Sequence, residues 1–180
     1  MAKKFPCVKL VSGPRHLGSC LRLRRRSRPT ARRAFHGRDP RALIDLEVAP
    51  TSRANPFKAY VTITYGCDRF CSYCIVPYVR GRLQSRAHED ILKEVRTLID
   101  GGAREITLLG QNVDAYGKDL KNGYGFASLL ADTAALPGLE RLRFATSHPK
   151  DFDADILDVM RDNPTICRAI NLPVQSGSDR

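Results

Sequence analysis

From residue 58 onward the apolar positions follow two periods, and the period switches repeatedly along the chain. Residues 58–65 (KAYVTITY) are rich in β-branched and aromatic side chains, which suit a pleated strand. Gly66 closes that run and a cysteine-bearing loop follows. Ser85 then offers an N-cap for a helix on which Ile91, Leu92, Val95, Leu98 and Ile99 recur on one face. Gly101-Gly102 supplies the stop, because glycine tolerates the left-handed conformation found at helix ends. The cycle repeats with a strand at 105–109 and a helix at 126–136 closed by Pro137-Gly138. A strand at 139–145, a helix at 154–161 with Ile156, Leu157 and Met160 inward, and a fourth strand at 169–174 complete it.

The order β-α-β-α-β-α-β predicts an α/β fold with a parallel sheet and right-handed crossovers. Polar and glycine-rich segments lie just after each strand, at 66–74, 110–112, 146–149 and 175–179. In β/α barrels the chemistry sits at the C-terminal ends of the strands, so these segments are expected to share one rim. A closed barrel needs more strands, so the expected architecture is a partial (β/α) barrel of about four parallel strands, incomplete at its C-terminus. The expected division is a basic, disordered segment at 1–54 and an α/β core at 55–180.

Composition changes that picture only at the N-terminus. The 180 residues suffice for one domain with a real core. No apolar run approaches the ~20 residues needed to span a bilayer, so a soluble, cytoplasmic protein without membrane contact is expected. The net charge of +11 suggests nucleic acid until its distribution is read. Residues 1–45 hold 13 of the 30 Lys+Arg but only Asp39 and Asp45 among the acids, leaving 17 of each sign in the remainder. With few aromatics and no sustained periodicity, the basic stretch reads as disordered. A solvated tail, a misplaced start, a targeting peptide and an RNA-binding arm all stay open for it.

Three of the six cysteines fall within eight residues, as Cys67-Asp68-Arg69-Phe70-Cys71-Ser72-Tyr73-Cys74. This C-x3-C-x2-C spacing puts three thiolates on one tight loop, enough for three corners of a [4Fe–4S] cube. Ordinary cubes take four cysteines. With three, one iron stays open to an exogenous ligand such as the amino and carboxylate groups of S-adenosylmethionine. A structural zinc site wants four ligands, usually in two pairs, and His88 lies 14 residues beyond Cys74. Cys167 reads as a core residue, and Cys7 and Cys20 as tail residues.

The run Thr64-Tyr65-Gly66-Cys67 through Cys74, continued by Ile75-Val76-Pro77-Tyr78-Val79-Arg80-Gly81, resembles the radical-SAM methylthiotransferases. Three further runs are closest to the tRNA-modifying branch of that family: residues 108–117 (LLGQNVDAYG), Ser147-His148-Pro149, and residues 172–180 (LPVQSGSDR). The resemblance spans residues 55–180. It implies a transferase that installs a methylthio group at C2 of a prenylated adenosine next to the tRNA anticodon. One S-adenosylmethionine would supply a methyl group and a second a 5′-deoxyadenosyl radical. It also implies Cys67, Cys71 and Cys74 as cluster ligands, with Tyr73, Gln111, Ser147, Gln175 and Ser176 as cofactor-binding candidates. Arg80 and Arg82 are candidates for tRNA phosphates, and a flavodoxin or ferredoxin for the reductant. The family's second-cluster domain and its C-terminal RNA-binding domain are expected to be absent here, making this a truncated form. The sister branch acting on a ribosomal-protein aspartate is disfavoured by Gln111-Asn112. A non-enzymatic iron–sulfur or RNA-binding fragment is the remaining alternative.

Overall fold

The computed structural model describes Leu10–Val11, Ala34–Phe35 and residues 55–177. The chain divides into two compact units, Met1–Ser52 and Arg53–Arg180. In the first, β1 (Leu10–Val11) pairs in parallel with β2 (Ala34–Phe35). Apart from these four residues, which are paired strand where disorder was expected, the expected disorder of 1–54 and the tail assignment of Cys7 and Cys20 lie outside the described residues.

In the second unit the first long apolar run divides in two. β3 (Lys58–Thr62) enters the parallel sheet, and β4 (Thr64–Tyr65) pairs antiparallel with β5 (Gln84–Ser85). Ile63 is the junction. Its N–H donates to the Leu109 carbonyl (2.8 Å) and its carbonyl accepts from the Arg86 N–H (3.0 Å). Helix α1 (Val76–Arg80) carries Pro77 in its first turn, where the missing N–H costs no hydrogen bond. There follow α2 (His88–Asp100), β6 (Glu105–Leu109), a 3₁₀ turn (Val113–Ala115), α3 (Phe126–Ala134), β7 (Arg141–Phe144) and α4 (Ala154–Asp162).

The sheet order is β3-β6-β7, all parallel, with Lys58, Glu105 and Arg141 in register across it. Each crossover advances one strand in the same direction, as in a barrel wall, without the reversal of a doubly wound sheet. Alternation along the strands puts Ala59, Val61, Ile106, Leu108, Leu142 and Phe144 into one core. Ile91, Val95 and Ile99 of α2, Leu129 and Leu130 of α3, and Ile156 and Met160 of α4 complete it. Truncating a fully buried member such as Ile106 or Leu130 to alanine should cost about 2–5 kcal/mol. On the alternate positions of β3, Lys58 and Tyr60 stay exposed and Thr62 is half-buried.

Several expectations need correction. Ser85 is not the cap of α2, which follows Ala87, because the Ser85 hydroxyl is engaged elsewhere. It donates to Asp119 (2.5 Å) and accepts from the Gly117 N–H (2.9 Å). Leu157 points outward and is half exposed, while Ile156 and Met160 are buried as expected. The fourth strand does not form. Ile166 makes an isolated parallel bridge opposite Leu142, and pairing then lapses. The segment turns toward the rim, where the Asn171 carbonyl accepts from the Ser147 N–H (3.1 Å), and Pro173 has no N–H to offer a ladder. Ile170, Leu172 and Val174 are left exposed. Cys167, beside the bridge, is half-buried.

Candidate functional site

The cysteine loop is shaped by close backbone approach. Gly66 has φ +68°, and a Cβ there would lie 2.1 Å from the Arg82 carbonyl oxygen, so only glycine fits. That closeness lets the Cys67 N–H reach the Gly81 carbonyl (3.1 Å). A turn places the Cys74 N–H on the Cys71 carbonyl (2.9 Å). The Asp68 carboxylate accepts from the Leu83 N–H (3.2 Å), and the Arg82 guanidinium stacks over the Phe70 ring at 4.9 Å. Phe70 also meets Tyr78 of α1 edge to face, with ring centroids 5.7 Å apart. Cys67 is buried; Cys71 and Cys74 are half-buried.

The other three strand-end segments meet this loop. Asp151, beyond β7, has a fully buried side chain and forms the hub. It accepts from Arg69 Nε (2.6 Å), again from Arg69 Nη2, from Asn112 Nδ2 (2.6 Å) and from Lys118 Nζ (2.5 Å). Burial alone would push its pKa up, but these donors together hold it far below the usual carboxylate range. Nearby, buried Asp114 accepts from the Ser147 hydroxyl (3.0 Å) and the His148 N–H (2.9 Å). Burial pushes the Asp114 carboxyl up despite those bonds. The His148 imidazole Nε2 lies 3.5 Å from Cys71 Sγ, and the Tyr73 hydroxyl contacts Gln175 Oε1. Thr146 (φ +70°) and Gln175 (φ +66°) occupy the left-handed region, a strain that collects at functional sites.

The donor set suits an iron–sulfur cluster. Burial pushes the Cys67 thiol up, and the neighbouring Cys71 and Cys74 raise it further, against one Arg69 N–H at 3.3 Å that favours the thiolate. Three thiolates so close repel unless positive metal compensates them. Among the described residues no group of three or more His, Cys, Asp and Glu side chains is gathered tightly enough to hold a single metal ion as it stands. A cube is gripped at three separate corners, so its ligands need not converge.

The expected site residues differ in what they are free to do. Gln111 has its Oε1 buried and without a hydrogen-bond partner. Tyr73 is largely exposed, and Ser176 is exposed on the same rim segment as Gln175. Ser147 is buried with its hydroxyl committed to Asp114. Arg82 is exposed and pairs with Asp68 at 3.5 Å. Sequence reasoning missed the roles of Arg69, Lys118 and Asp151. Arg69 and Asp151 lie 82 residues apart, with no local pattern to join them.

The Radical SAM superfamily model matches residues 61–180, which include all four rim segments, the cysteine loop among them. The chain belongs to that superfamily. Within it, the tRNA-2-methylthio-N(6)-dimethylallyladenosine synthase of Thermotoga petrophila is 55% identical over 131 residues, covering 73% of this chain and 30% of the relative. The enzyme of the same name from Caldicellulosiruptor saccharolyticus is 44% identical over 180 residues, covering the whole chain and 38% of the relative. The chain thus spans about a third of the length of these relatives. Among solved radical-SAM structures, a methyltransferase from Kitasatospora setae with tryptophan and a SAM analogue bound aligns with TM-score 0.51 and 20% identity, covering 66% of this chain and 22% of that one. That likeness speaks for the fold. Among the described residues no helix is long and apolar enough to cross a membrane.

Proposed function

We propose that this chain contributes the radical-SAM core of a tRNA methylthiotransferase, acting on the N6-prenylated adenosine beside the anticodon. One observation carries the reading: the three-cysteine loop is locked to the ends of β6 and β7 through the Arg69–Asp151–Asn112 cage. Relatives 44% to 55% identical bear the name of that enzyme. Cys67, Cys71 and Cys74 hold the [4Fe–4S] cluster, leaving one iron for S-adenosylmethionine. When bound there, such a cluster would supply one-electron reduction chemistry toward S-adenosylmethionine, and the three cysteines are the residues that would hold it.

The chain's own residues bind and orient. Gln111 meets a cofactor donor with its unpartnered Oε1. Tyr73 and Gln175, joined through the Tyr73 hydroxyl, and exposed Ser176 next to Gln175 supply further cofactor contacts. Ser147 acts by holding Asp114, and through it the His148 backbone. Arg80 and Arg82 face tRNA phosphates, where a basic contact adds salt-dependent affinity. A flavodoxin or ferredoxin supplies the electron, and the sulfur-inserting cluster and further RNA contacts come from outside the residues 55–180.

The test is anaerobic reconstitution with iron and sulfide, dithionite reduction, and assay of 5′-deoxyadenosine from S-adenosylmethionine. Product that disappears in Cys71→Ala supports the reading. A reconstituted cluster with no 5′-deoxyadenosine contradicts it for this chain.

A further inference from the structure

His148 has no part in ligand binding in the reading above, yet its ring is aimed. The backbone N–H of His148 is held by Asp114 Oδ2 (2.9 Å), and its carbonyl accepts from the N–H groups of Asp151 (2.8 Å) and Phe152 (3.0 Å). On the ring, Nδ1 accepts from the Lys150 N–H (3.2 Å). An Nδ1 that accepts carries no proton, so the proton of the neutral ring is on Nε2. That nitrogen is the one 3.5 Å from Cys71 Sγ. The tautomer is thus fixed from behind by a backbone amide, and the remaining N–H points at sulfur.

We propose that His148 is a positioning residue for the cluster, donating Nε2–H to the Cys71 thiolate and setting the cluster's reduction potential. This rests on the reading of Cys71 as a cluster ligand. Hydrogen bonds to ligand sulfurs are among the factors that set iron–sulfur potentials. The reduced cluster carries more negative charge on its sulfurs than the oxidised one, so a donated N–H favours reduction. Removing it makes the cluster harder to reduce. The same bond orients the Cys71 side chain, while Arg69 fixes the preceding turn of the loop through Asp151.

The experiment is a spectroscopic redox titration of the anaerobically reconstituted 180-residue chain, its His148→Leu variant and its His148→Gln variant, with iron content measured for each. Glutamine keeps an N–H at the Nε2 position; leucine keeps bulk without a donor. The expected result is equal iron in parent and leucine variant, with the reduced-to-oxidised ratio at fixed poise lowered roughly tenfold by leucine, ~59 mV for one electron. Glutamine should return it most of the way. Should leucine lose the cluster while glutamine retains it at the parent potential, the donor is required and the proposal stands. Equal potentials in parent and leucine variant, or equal shifts in both variants, overturn it. A parent chain that assembles no cluster fails the ligand reading itself, and is told apart by its iron content.

Discussion

Two carboxylates sit at opposite ends of the sheet, each ringed by nitrogen-bearing side chains, and they serve different ends. Glu105 opens β6 and meets Arg141 at 3.0 Å, Lys58 at 3.3 Å and Arg143 at 3.6 Å. Two of those partners, Lys58 and Arg141, are its register neighbours on β3 and β7. Its cage is therefore part of the strand ladder, with cations about half exposed to water. Asp151 is fully buried, and its donors come from the cysteine loop, the end of β6 and the segment before α3. Arg141 first, with Lys58 and Arg143, lowers the Glu105 carboxyl. Asp151 is lowered against a larger burial cost. Charge at the strand starts staples the sheet; charge at the strand ends assembles a site from segments distant in sequence.

Substitutions at the two ends should separate these roles. The largest effect belongs to the proposed ligands: Cys67→Ala, Cys71→Ala or Cys74→Ala should reduce iron bound after reconstitution by at least about tenfold, because each removes one of the three thiolates of the proposed site. Next is Asp151→Ala, which strands Arg69, Lys118 and Asn112 around a void. It should lower unfolding stability in urea by about 3 kcal/mol and also lower the iron retained. Glu105→Gln should cost less, a few degrees of Tm, because its three cations stay about half exposed to water and lose little, and it should leave iron content unchanged. If Glu105→Gln lost as much iron as Asp151→Ala, the contrast between the ends would collapse.

Salt and pH sharpen the same contrast. At about 1 M salt the Debye length falls to roughly 3 Å, so the Tm difference between parent and Glu105→Gln should shrink while that for Asp151→Ala persists. For Asp151 the folded pKa lies below the unfolded one, so the folded chain keeps it ionised to lower pH. Its stabilisation is complete above the ordinary carboxylate value of about 4 and is lost as pH falls below that value. The stability gap between parent and Asp151→Asn should hold from pH 7 to 5 and narrow below about pH 4. A gap already closing at pH 6 would contradict the caged carboxylate.

Much of the wall was legible from local pattern. The strand at Glu105–Leu109, the buried stripe Ile91, Val95 and Ile99, and the meeting of four rim segments all follow from periodicity and from where β/α connections place loops. Period alone could not see Ile63 exchanging one partner strand for another, since β4 continues the same β-rich composition. It also overcounted the strands, because residues 169–174 have strand composition without a continued partner. The cysteine cluster was legible because its three members are close in sequence. Asp151, Arg69, Lys118 and the aim of His148 were not, because each is defined by contacts across 33 to 82 residues.

The most direct test is electron paramagnetic resonance of the reconstituted, dithionite-reduced chain with and without S-adenosylmethionine. The account predicts the signal of a reduced [4Fe–4S] cluster that changes when S-adenosylmethionine is added, as an iron with an open coordination position requires. Zinc taken up in place of iron, or a cluster signal indifferent to S-adenosylmethionine, would contradict the three-cysteine site.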